Sequence, residues 1–322
     1  MTLDELDVKT AFALLGPGFF DDGAWRLVTP AADGDTTLWL GPYDARPLAA
    51  TGRAERVDVT LAPAGPVPVT LDETGFLAGV ETIRARIAAG DVYQVNLTVR
   101  AQVADVAGSV LLSRLCARGV PRFAAWVRWP GVPEFVSASP ELLVETKGRW
   151  IHAEPMKGTA RPGESQRLLA SEKDAAELAM ITDLTRNDLH QLCEPRSVRV
   201  TAPRRLLELP YVLQAVSDVE GTLRPGLAIA EVLRVMHPGG SVTGAPRPAA
   251  MAVIAELERA PRQLYCGTLG VETNDRFRAA LLIRTATKSA DGWVYGVGSG
   301  ITWDSEAHAE LAEVRLKLGA LG

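Results

Sequence analysis

The segment from residue 94 to residue 103 constrains the fold of this chain most strongly. Every second side chain in it is apolar, and polar side chains stand between, in the order Val95, Asn96, Leu97, Thr98, Val99, Arg100, Ala101, Gln102, Val103. A period of two predicts a β-strand with two chemically different faces. Gln94 and Asn96 are therefore expected to point the same way.

Predicted strands and helices come in runs along the chain. A helix is predicted after the capping-box pattern Thr70 to Glu73, with Gly90 at its C-terminal end, and a second one from Ser171 to about Leu192. Strand candidates occupy most of the rest, including Arg56 to Leu61 and, late in the chain, Phe277 to Lys288. Runs of this kind favour an α+β fold with mostly antiparallel sheets.

The domain organisation follows from length and composition. The 322 residues suffice for one large domain, and 47% hydrophobic with 23% charged residues is typical of a globular protein. We expect a short β-rich segment over residues 1–69, part of the same globule, and a catalytic domain over residues 70–322.

Charge and cysteine usage exclude several classes of function. The net charge is −5, which gives no global attraction to nucleic acid or to an anionic membrane. The three cysteines are widely spaced and form no Cys-x-x-Cys pair, so neither a disulfide framework nor a zinc site is supported. The acidic N-terminus does not read as a signal peptide, and no apolar run is long enough for a membrane span. We therefore expect a cytoplasmic protein with no nucleic-acid or membrane partner.

Two predicted helices carry carboxylates at helical spacing. In the closing helix, predicted to begin at Asp304-Ser305, one face presents Glu306, Glu310, Glu313 and Lys317. Asp174 and Glu177 repeat the i, i+3 spacing on the earlier helix. Carboxylates so placed can converge on magnesium, although ion-paired, solvated helix faces have the same pattern.

Two glycine clusters offer backbone N–H groups to an anion. They are Gly239 to Pro246, which includes Thr243 and Gly244, and Val297 to Gly300. Neither matches a nucleotide-binding fingerprint, so ordinary turns remain an alternative. Arg284 has the planar guanidinium that suits a carboxylate, but a surface position is equally compatible with the sequence.

Lys157 lies between an apolar strand candidate and a Gly-Thr turn. A desolvated amine there would act as a nucleophile or base, whereas a solvent-exposed loop lysine is the alternative. Glu141, which follows Pro140, is the candidate acid/base partner.

Together these segments resemble the chorismate-utilising enzymes, a family that includes anthranilate synthase component I, aminodeoxychorismate synthase component I, isochorismate synthase and salicylate synthase. The resemblance implies two mostly antiparallel sheets packed as a sandwich with helices outside, as in anthranilate synthase component I. It runs from about residue 70 to residue 322 and rests on GDVYQVNLT, SPELL, EPMKGTARPG, SEKDAAELAMITDLTRNDL, VSDVEGTL, HPGGSVTGAP, YCGTLG, IRTA and GVGSGITWDSEAHAELAEVRLK.

Two positions indicate which activity the resemblance implies. Isochorismate and salicylate synthases carry a lysine base where this chain has Gln94. Aminodeoxychorismate synthases carry a lysine, and anthranilate synthases an alanine, where this chain has Lys157. The resemblance thus implies amination of chorismate at C4 through a covalent bond to Lys157, with Glu141 as general acid/base. The product would supply 4-aminobenzoate for folate or a secondary metabolite.

The resemblance also implies the ligands and their binding residues. The partners are chorismate, ammonia and a separate glutamine amidotransferase subunit, because this chain has no Gly-x-Cys-x-Gly nucleophile motif of its own. Mg²⁺ would be held by Glu177 and Glu313, with Glu310 and Asp174 beside them. The substrate would be bound by Gln94, Thr243, Gly244, Tyr265, Thr268, Arg284, Gly298, Ser299, Gly300, Lys317 and Gln214.

Two departures from the family pattern keep alternatives open. Gln214 stands where the family normally has a histidine, and the region before Gly90 is shorter than in related synthases, which predicts no feedback inhibition by tryptophan. The alternatives are anthranilate synthase component I, a 2-amino-2-deoxyisochorismate synthase, and an inactive chorismate-binding regulatory subunit.

Overall fold

The computed structural model describes residues 13–22, 24–209 and 212–321. The first twelve residues of the expected N-terminal segment lie outside the described residues, as do Gly23, Pro210, Tyr211 and Gly322. The described strands are β1 (Ala13–Leu15), β2 (Trp25–Pro30), β3 (Thr36–Gly41), β4 (Leu48–Val57), β5 (Val69–Thr70), β6 (Gln94–Val103), β7 (Phe123–Val127), β8 (Phe135–Ser139), β9 (Leu142–Lys147), β10 (Trp150–Ala153), β11 (Met156–Ala160), β12 (Arg199–Leu209), β13 (Val212–Thr222), β14 (Gly244–Ala245), β15 (Thr268–Thr273), β16 (Arg276–Leu281), β17 (Thr285–Ser289) and β18 (Gly292–Ile301).

The helices separate these strands in groups. They are α1 (Glu73–Ala88), α2 (Gly108–Leu115), α3 (Ser165–Ala170), α4 (Glu172–Leu192), α5 (Ile229–Met236), α6 (Gly240–Thr243), α7 (Arg247–Leu257) and α8 (Ala307–Leu318). None of the helices in the described ranges is both long enough and apolar enough to cross a membrane.

Antiparallel ladders connect the described strands into one hydrogen-bonded system. Its main path runs β6, β18, β17, β8, β7, β1, β2, β4, β3, β15, β16, β9, β10, β13, β12. The short strands β5 and β14 pair with the outer edge of β6, and β11 pairs with β13 beside β10. The predicted α+β class with antiparallel pairing is confirmed.

The core shows how this system folds back on itself. One apolar cluster combines Phe123 and Phe135, from the β6 end of the path, with Leu269 and Leu142, from the β12 end. Two further clusters lie on the outer faces, one under α1, α2, α7 and α8 and the other under α4 and α5. The two halves of the sheet system therefore pack face to face with helices outside, as the family resemblance implies.

Helix ends follow local chemistry, with small corrections to the sequence-based boundaries. The Ser171 hydroxyl accepts the Asp174 N–H at 3.2 Å and caps α4 as predicted, but α1 is capped by Asp72 and not by Thr70. Helix α8 begins at Ala307, because Ser305 turns back to the Thr302 N–H.

Two strand predictions are also wrong in part. The strand expected over Arg56 to Leu61 ends at Val57 and begins at Leu48. The strand expected over Phe277 to Lys288 is broken between β16 and β17, where Arg284 adopts φ 52°. At this break the chain passes from one half of the sandwich to the other, which an apolar run in the sequence does not reveal.

Candidate active site

The chain passes from one half of the sandwich to the other after β8 and again after β16, and these two connections lie side by side. The Leu281 N–H donates to the Glu141 carbonyl at 3.2 Å, and the Ala138 N–H donates to the Arg284 carbonyl at 3.0 Å. The crossings after β8 and after β16 therefore support each other. The backbone around Glu141 is thereby held by these two hydrogen bonds.

The Lys157 side chain lies inside the molecule, on β11. It is 15% exposed, and its Nζ is 3.8 Å from Oε2 of Glu177 on α4. A Cβ added to Gly300 would lie 2.8 Å from this Nζ and 2.5 Å from Nε2 of Gln94. Lys157 is thus a half-buried strand residue at the meeting point of β11, β18 and β6, and the alternative of an exposed loop lysine is wrong.

Ion pairs hold the segment that leads into β11. The Glu154 side chain is 4% exposed and forms ion pairs with Arg122 and Arg205. A buried carboxylate with two guanidinium partners fixes the backbone that carries it. Lys157, three residues later, therefore starts from a rigid strand.

The Glu141 carboxyl is buried and carries a shifted pKa. It is 5% exposed, and Oε1 accepts a hydrogen bond from the Ser241 hydroxyl at 2.7 Å. Burial raises the pKa of Glu141 to about 7 and the charge of Glu154 adds to this, against the lowering effects of Ser241 and Lys157. A carboxyl that titrates near neutral pH can both give and take a proton.

Three buried polar atoms on β6 and β18 have no hydrogen-bond partner among the residues that the structure describes. They are Nε2 and Oε1 of Gln94, which is 0% exposed, and Oγ of Ser299, which is 1% exposed. The Gln94 amide lies beside Gly300 and Lys157, whereas Ser299 occupies the alternate face of β18, opposite Leu97. Because buried polar groups normally have partners, the Gln94 amide is suited to bind a polar ligand.

The predicted acidic residues of α4 and α8 face one another. Lys173 Nζ lies 4.0 Å from Oε1 of both Glu177 and Glu310, and Lys317 Nζ lies 2.6 Å from Oε1 of Glu313. Burial raises the pKa of Glu177, and the charges of Asp174 and Glu313 act in the same direction. The structure therefore brings all four predicted carboxylates into one electrostatic cluster with lysines between them.

The donor set suits a divalent cation, but the ligand geometry is not assembled. In residues 13–22, 24–209 and 212–321, no group of three or more His, Cys, Asp or Glu side chains is arranged to hold a metal ion. Carboxylate oxygens are nevertheless the ligands that Mg²⁺ prefers. The magnesium site stays a prediction.

The second group of predicted substrate residues borders the same region. Lys317 donates to the Gly298 carbonyl at 2.7 Å, which joins α8 to β18. The Thr243 hydroxyl donates to the Gly239 carbonyl at 3.1 Å, within the turn of α6. Gly244 has φ 139°, and a Cβ there would lie 2.1 Å from the Gln94 carbonyl oxygen, so only glycine permits this approach.

The remaining predicted substrate residues already have protein contacts. The Tyr265 ring packs against the Gly296 backbone, and Gln214 Oε1 accepts from the Thr159 hydroxyl at 3.2 Å. The Thr268 hydroxyl and His237 Nδ1 are 2.8 Å apart, so this hydroxyl has a partner without a ligand. Arg284 is half-buried at the β16–β17 crossing.

Two residues of the site were not among the predicted ones. Ser241 bonds Glu141 from within a glycine cluster that was considered only for its backbone. Arg262, 3% exposed, donates to the carbonyls of Asn96 at 2.7 Å and Val242 at 2.5 Å and pairs with Glu258 at 2.6 Å. It ties β6 to the α6 turn, and no local sequence pattern marks it.

A half-buried lysine, a buried glutamate whose pKa is raised to about 7, a buried amide with no partner among the described residues and a cluster of carboxylates thus lie in one region of the fold. Residues 49–321 match the model of the chorismate binding enzymes. The chain belongs to this family of enzymes that act on chorismate.

Curated relatives carry the names of two different synthases. The chain is 37% identical over 259 residues to anthranilate synthase component 1 3 of Haloarcula marismortui, covering 77% of this chain and 51% of the relative. It is 33% identical over 260 residues to aminodeoxychorismate synthase component 1 of Bacillus subtilis, covering 78% and 55%. The chain thus spans about half the length of the curated relatives it matches.

Solved structures show the same fold at lower identity. Anthranilate synthase component I from Streptococcus pneumoniae superposes with a TM-score of 0.78 at 22% identity and covers 96% of this chain and 89% of its own. The menaquinone-specific isochorismate synthase of Escherichia coli superposes with a TM-score of 0.76 at 18% identity. The superposition covers 97% of this chain and 88% of that structure.

Proposed function

We propose that the chain is component I of an aminodeoxychorismate synthase, which converts chorismate and ammonia to 4-amino-4-deoxychorismate and water. The observation that carries this proposal is the position of the Lys157 amine. The Lys157 side chain is 15% exposed, and its nitrogen lies beside Gly300 and the Gln94 amide. An amine in this position can attack a bound ring, whereas the alanine typical of anthranilate synthases cannot.

The first half of the reaction uses Lys157 and Glu141 together. The Lys157 lone pair forms a bond to C2 of the ring, the ring double bonds shift, and the C4–O bond breaks. Glu141, protonated at the start because burial raises its pKa to about 7, gives its proton to the departing hydroxyl, which leaves as water. One difficult displacement is thereby divided into two easier steps.

The second half restores both residues. Ammonia forms a bond to C4, the double bonds shift back, and the C2–Nζ bond breaks with its electron pair returning to Lys157. The new C4 ammonium then gives a proton to Glu141. The products are 4-amino-4-deoxychorismate, a neutral amine and a protonated carboxyl, so the site is ready for a second cycle.

The substrate carboxylates would be bound by the cradle of β6, β18 and α8. Gln94, Ser299 and the backbone at Gly298 offer polar atoms there, and Arg284 and Lys317 add positive charge. Glu177 and Glu313, with Glu310 and Asp174 beside them, would hold Mg²⁺. The ion would neutralise and orient a substrate carboxylate among these glutamates.

The nitrogen source is proposed to be a separate glutamine amidotransferase subunit, or free ammonia. The relatives from Bacillus subtilis and Haloarcula marismortui are named component 1, which supports a two-component enzyme. The present chain would supply the chorismate site only.

The proposal is tested with purified protein, chorismate, Mg²⁺ and ammonium, with the ring position of nitrogen determined by mass spectrometry and a lyase that releases 4-aminobenzoate. Without ammonium, we expect a chorismate-derived mass increase on the peptide that contains Lys157. Lys157→Ala should lose the adduct and at least 1,000-fold of C4 amination, about 4 kcal/mol of transition-state stabilisation. Full 4-aminobenzoate formation by Lys157→Ala would refute the covalent route.

Anthranilate synthase component I is the second candidate. Its support is that relatives with this name reach 37% identity, against 33% for the aminodeoxychorismate synthase of Bacillus subtilis. The same assay separates the two, because anthranilate is fluorescent and carries its nitrogen at C2.

A further inference from the structure

A small cavity lies behind Glu141. Its volume is about 20 Å³, and its walls come from β9, α4 and the α6 turn. A cavity needs roughly 10 to 15 Å³ to hold one water molecule, and ammonia has nearly the size of water. The space admits one such molecule and is far too small for a ring with two carboxylates.

The lining of the cavity includes Glu141 but not the lysine. Glu141 and Ser241 line the cavity, whereas Lys157, Gln94 and Gly300 do not. Glu141 therefore belongs both to the proposed chorismate site and to the lining of the cavity. A molecule in the cavity would contact the group that must take a proton during amination.

The lining is suited to a hydrogen-bond donor with three N–H groups. The Glu141 carboxylate accepts hydrogen bonds, and so does the Thr185 hydroxyl, whose own proton is donated to the Ile181 carbonyl at 2.9 Å. Asp188 is 7% exposed and paired with Arg247, with Nη1 at 3.1 Å from Oδ1, so its charge is compensated.

We propose that this cavity is the ammonia-binding site of the enzyme, from which the nitrogen nucleophile reaches C4 past Glu141. The inference rests on the proposed function and adds the location of the second substrate. The ammonia lone pair forms the C4–N bond while the C2–Nζ bond breaks, and the excess proton on nitrogen passes to Glu141. No further reactant is needed.

The test fills the cavity and leaves the chorismate side unchanged. Thr185→Ile replaces a hydroxyl group with a larger ethyl group on a side chain that lines the cavity. Thr182→Ile is the matched control, because Thr182 lies on the same helix but does not line the cavity. Thr182 is 8% exposed and Thr185 is 7% exposed. The Thr182 hydroxyl donates to the carbonyl of Leu178, four residues earlier, at 2.7 Å, as Thr185 does to Ile181. Both variants keep the β-branched shape that the helix already accommodates at these positions.

We expect Thr185→Ile to raise the KM for ammonium at least tenfold relative to Thr182→Ile. The KM for chorismate and the rate of Lys157 adduct formation without ammonium should change less than twofold. An ammonium KM within twofold of the Thr182→Ile value would overturn the inference. An equal loss in adduct formation would do so as well, because it would show that Thr185 acts on the chorismate site.

A second pair of variants enlarges the space, which keeps the inference testable should isoleucine unfold the protein. Thr185→Ala is expected to use methylamine in place of ammonia at least tenfold better than wild type, whereas Thr182→Ala should not. No gain with Thr185→Ala would contradict the assignment. The ring position of the methylamino group, read by mass spectrometry, tests the proposed function separately, since methylamine at C2 would refute that function and leave the cavity assignment intact.

Discussion

Gly300→Ala is the perturbation that best tests the geometry of the site. Gly300 lies on β18 opposite Asn96 of β6, at the closest approach of two functional side chains. An added methyl group would lie 2.5 Å from Gln94 Nε2 and 2.8 Å from Lys157 Nζ, whereas ordinary contacts begin at 3.4 Å. Both nitrogen atoms must then retreat, because they are the flexible ends of their side chains and the strand backbone is not.

The expected effect on turnover is large and the effect on stability small. The retreat amounts to about 0.6 to 0.9 Å, and a misplacement of about 1 Å in a reacting group costs roughly 100-fold in rate. A 100-fold loss corresponds to about 2.7 kcal/mol of activation free energy. Since the displaced groups are side-chain termini, we expect the free energy of unfolding to fall by less than about 1 kcal/mol.

The assay measures chorismate turnover and urea-induced unfolding on the same preparations. Gly65→Ala is the control, because no atom lies within 4 Å of its added Cβ. It should retain wild-type turnover. Full activity of Gly300→Ala would show that Lys157 and Gln94 do not act from these positions. A loss of activity that matches the fraction of unfolded protein would show that Gly300 is needed for the stability of the strand and not for the geometry of the site.

Two further predictions concern stability and pH. Burial raises the pKa of Glu141 to about 7 in the folded protein. As pH rises, this carboxyl therefore ionises in the unfolded chain before it ionises in the folded protein. The free energy of unfolding should consequently fall by roughly 3 kcal/mol between about pH 4.5 and pH 7. Urea titrations of wild type and Glu141→Gln at pH 5 and pH 8 should show that the substitution removes this fall in the free energy of unfolding. The same pH dependence in both proteins would contradict a raised pKa for Glu141. Arg262→Met should cost roughly 3 to 5 kcal/mol, because it leaves Glu258 buried without its closest partner. Arg259 is exposed, and its guanidinium is 3.6 Å from Asp72, so Arg259→Ala should change the free energy of unfolding by less than about 0.5 kcal/mol. Equal costs for the two arginine substitutions would refute the role of Arg262 in holding β6 to the α6 turn.

Local chemistry made the regular elements predictable. The cap at Ser171 and the period-two pattern from residue 94 depend on neighbours in the sequence, and both features appear as predicted. The break at Arg284 does not, because the apolar pattern continues across it while the chain changes from one half of the sandwich to the other. Long-range tertiary packing overrides local preference at this point.

Family motifs mark single candidate residues of the site, but they do not mark contacts between distant residues. Lys157 and Glu141 were proposed from the sequence, and the structure places them close enough for the charge of Lys157 to lower the pKa of Glu141 against the larger effect of burial. Their catalytic roles stay predictions. The bond from Ser241 to Glu141 spans a hundred residues, and Arg262 joins carbonyls from two separate motifs. Such contacts arise from the fold, so no local spacing announces them.

The pairing of β6 with β18 has a consequence for synthesis on the ribosome. Gln94 is translated long before the strand that carries Gly300 and completes its surroundings. Contacts so distant along the chain form late and slow folding. A nascent polypeptide should therefore be unable to capture chorismate until β18 has emerged, and truncation before β18 should leave the buried amide of Gln94 open to water.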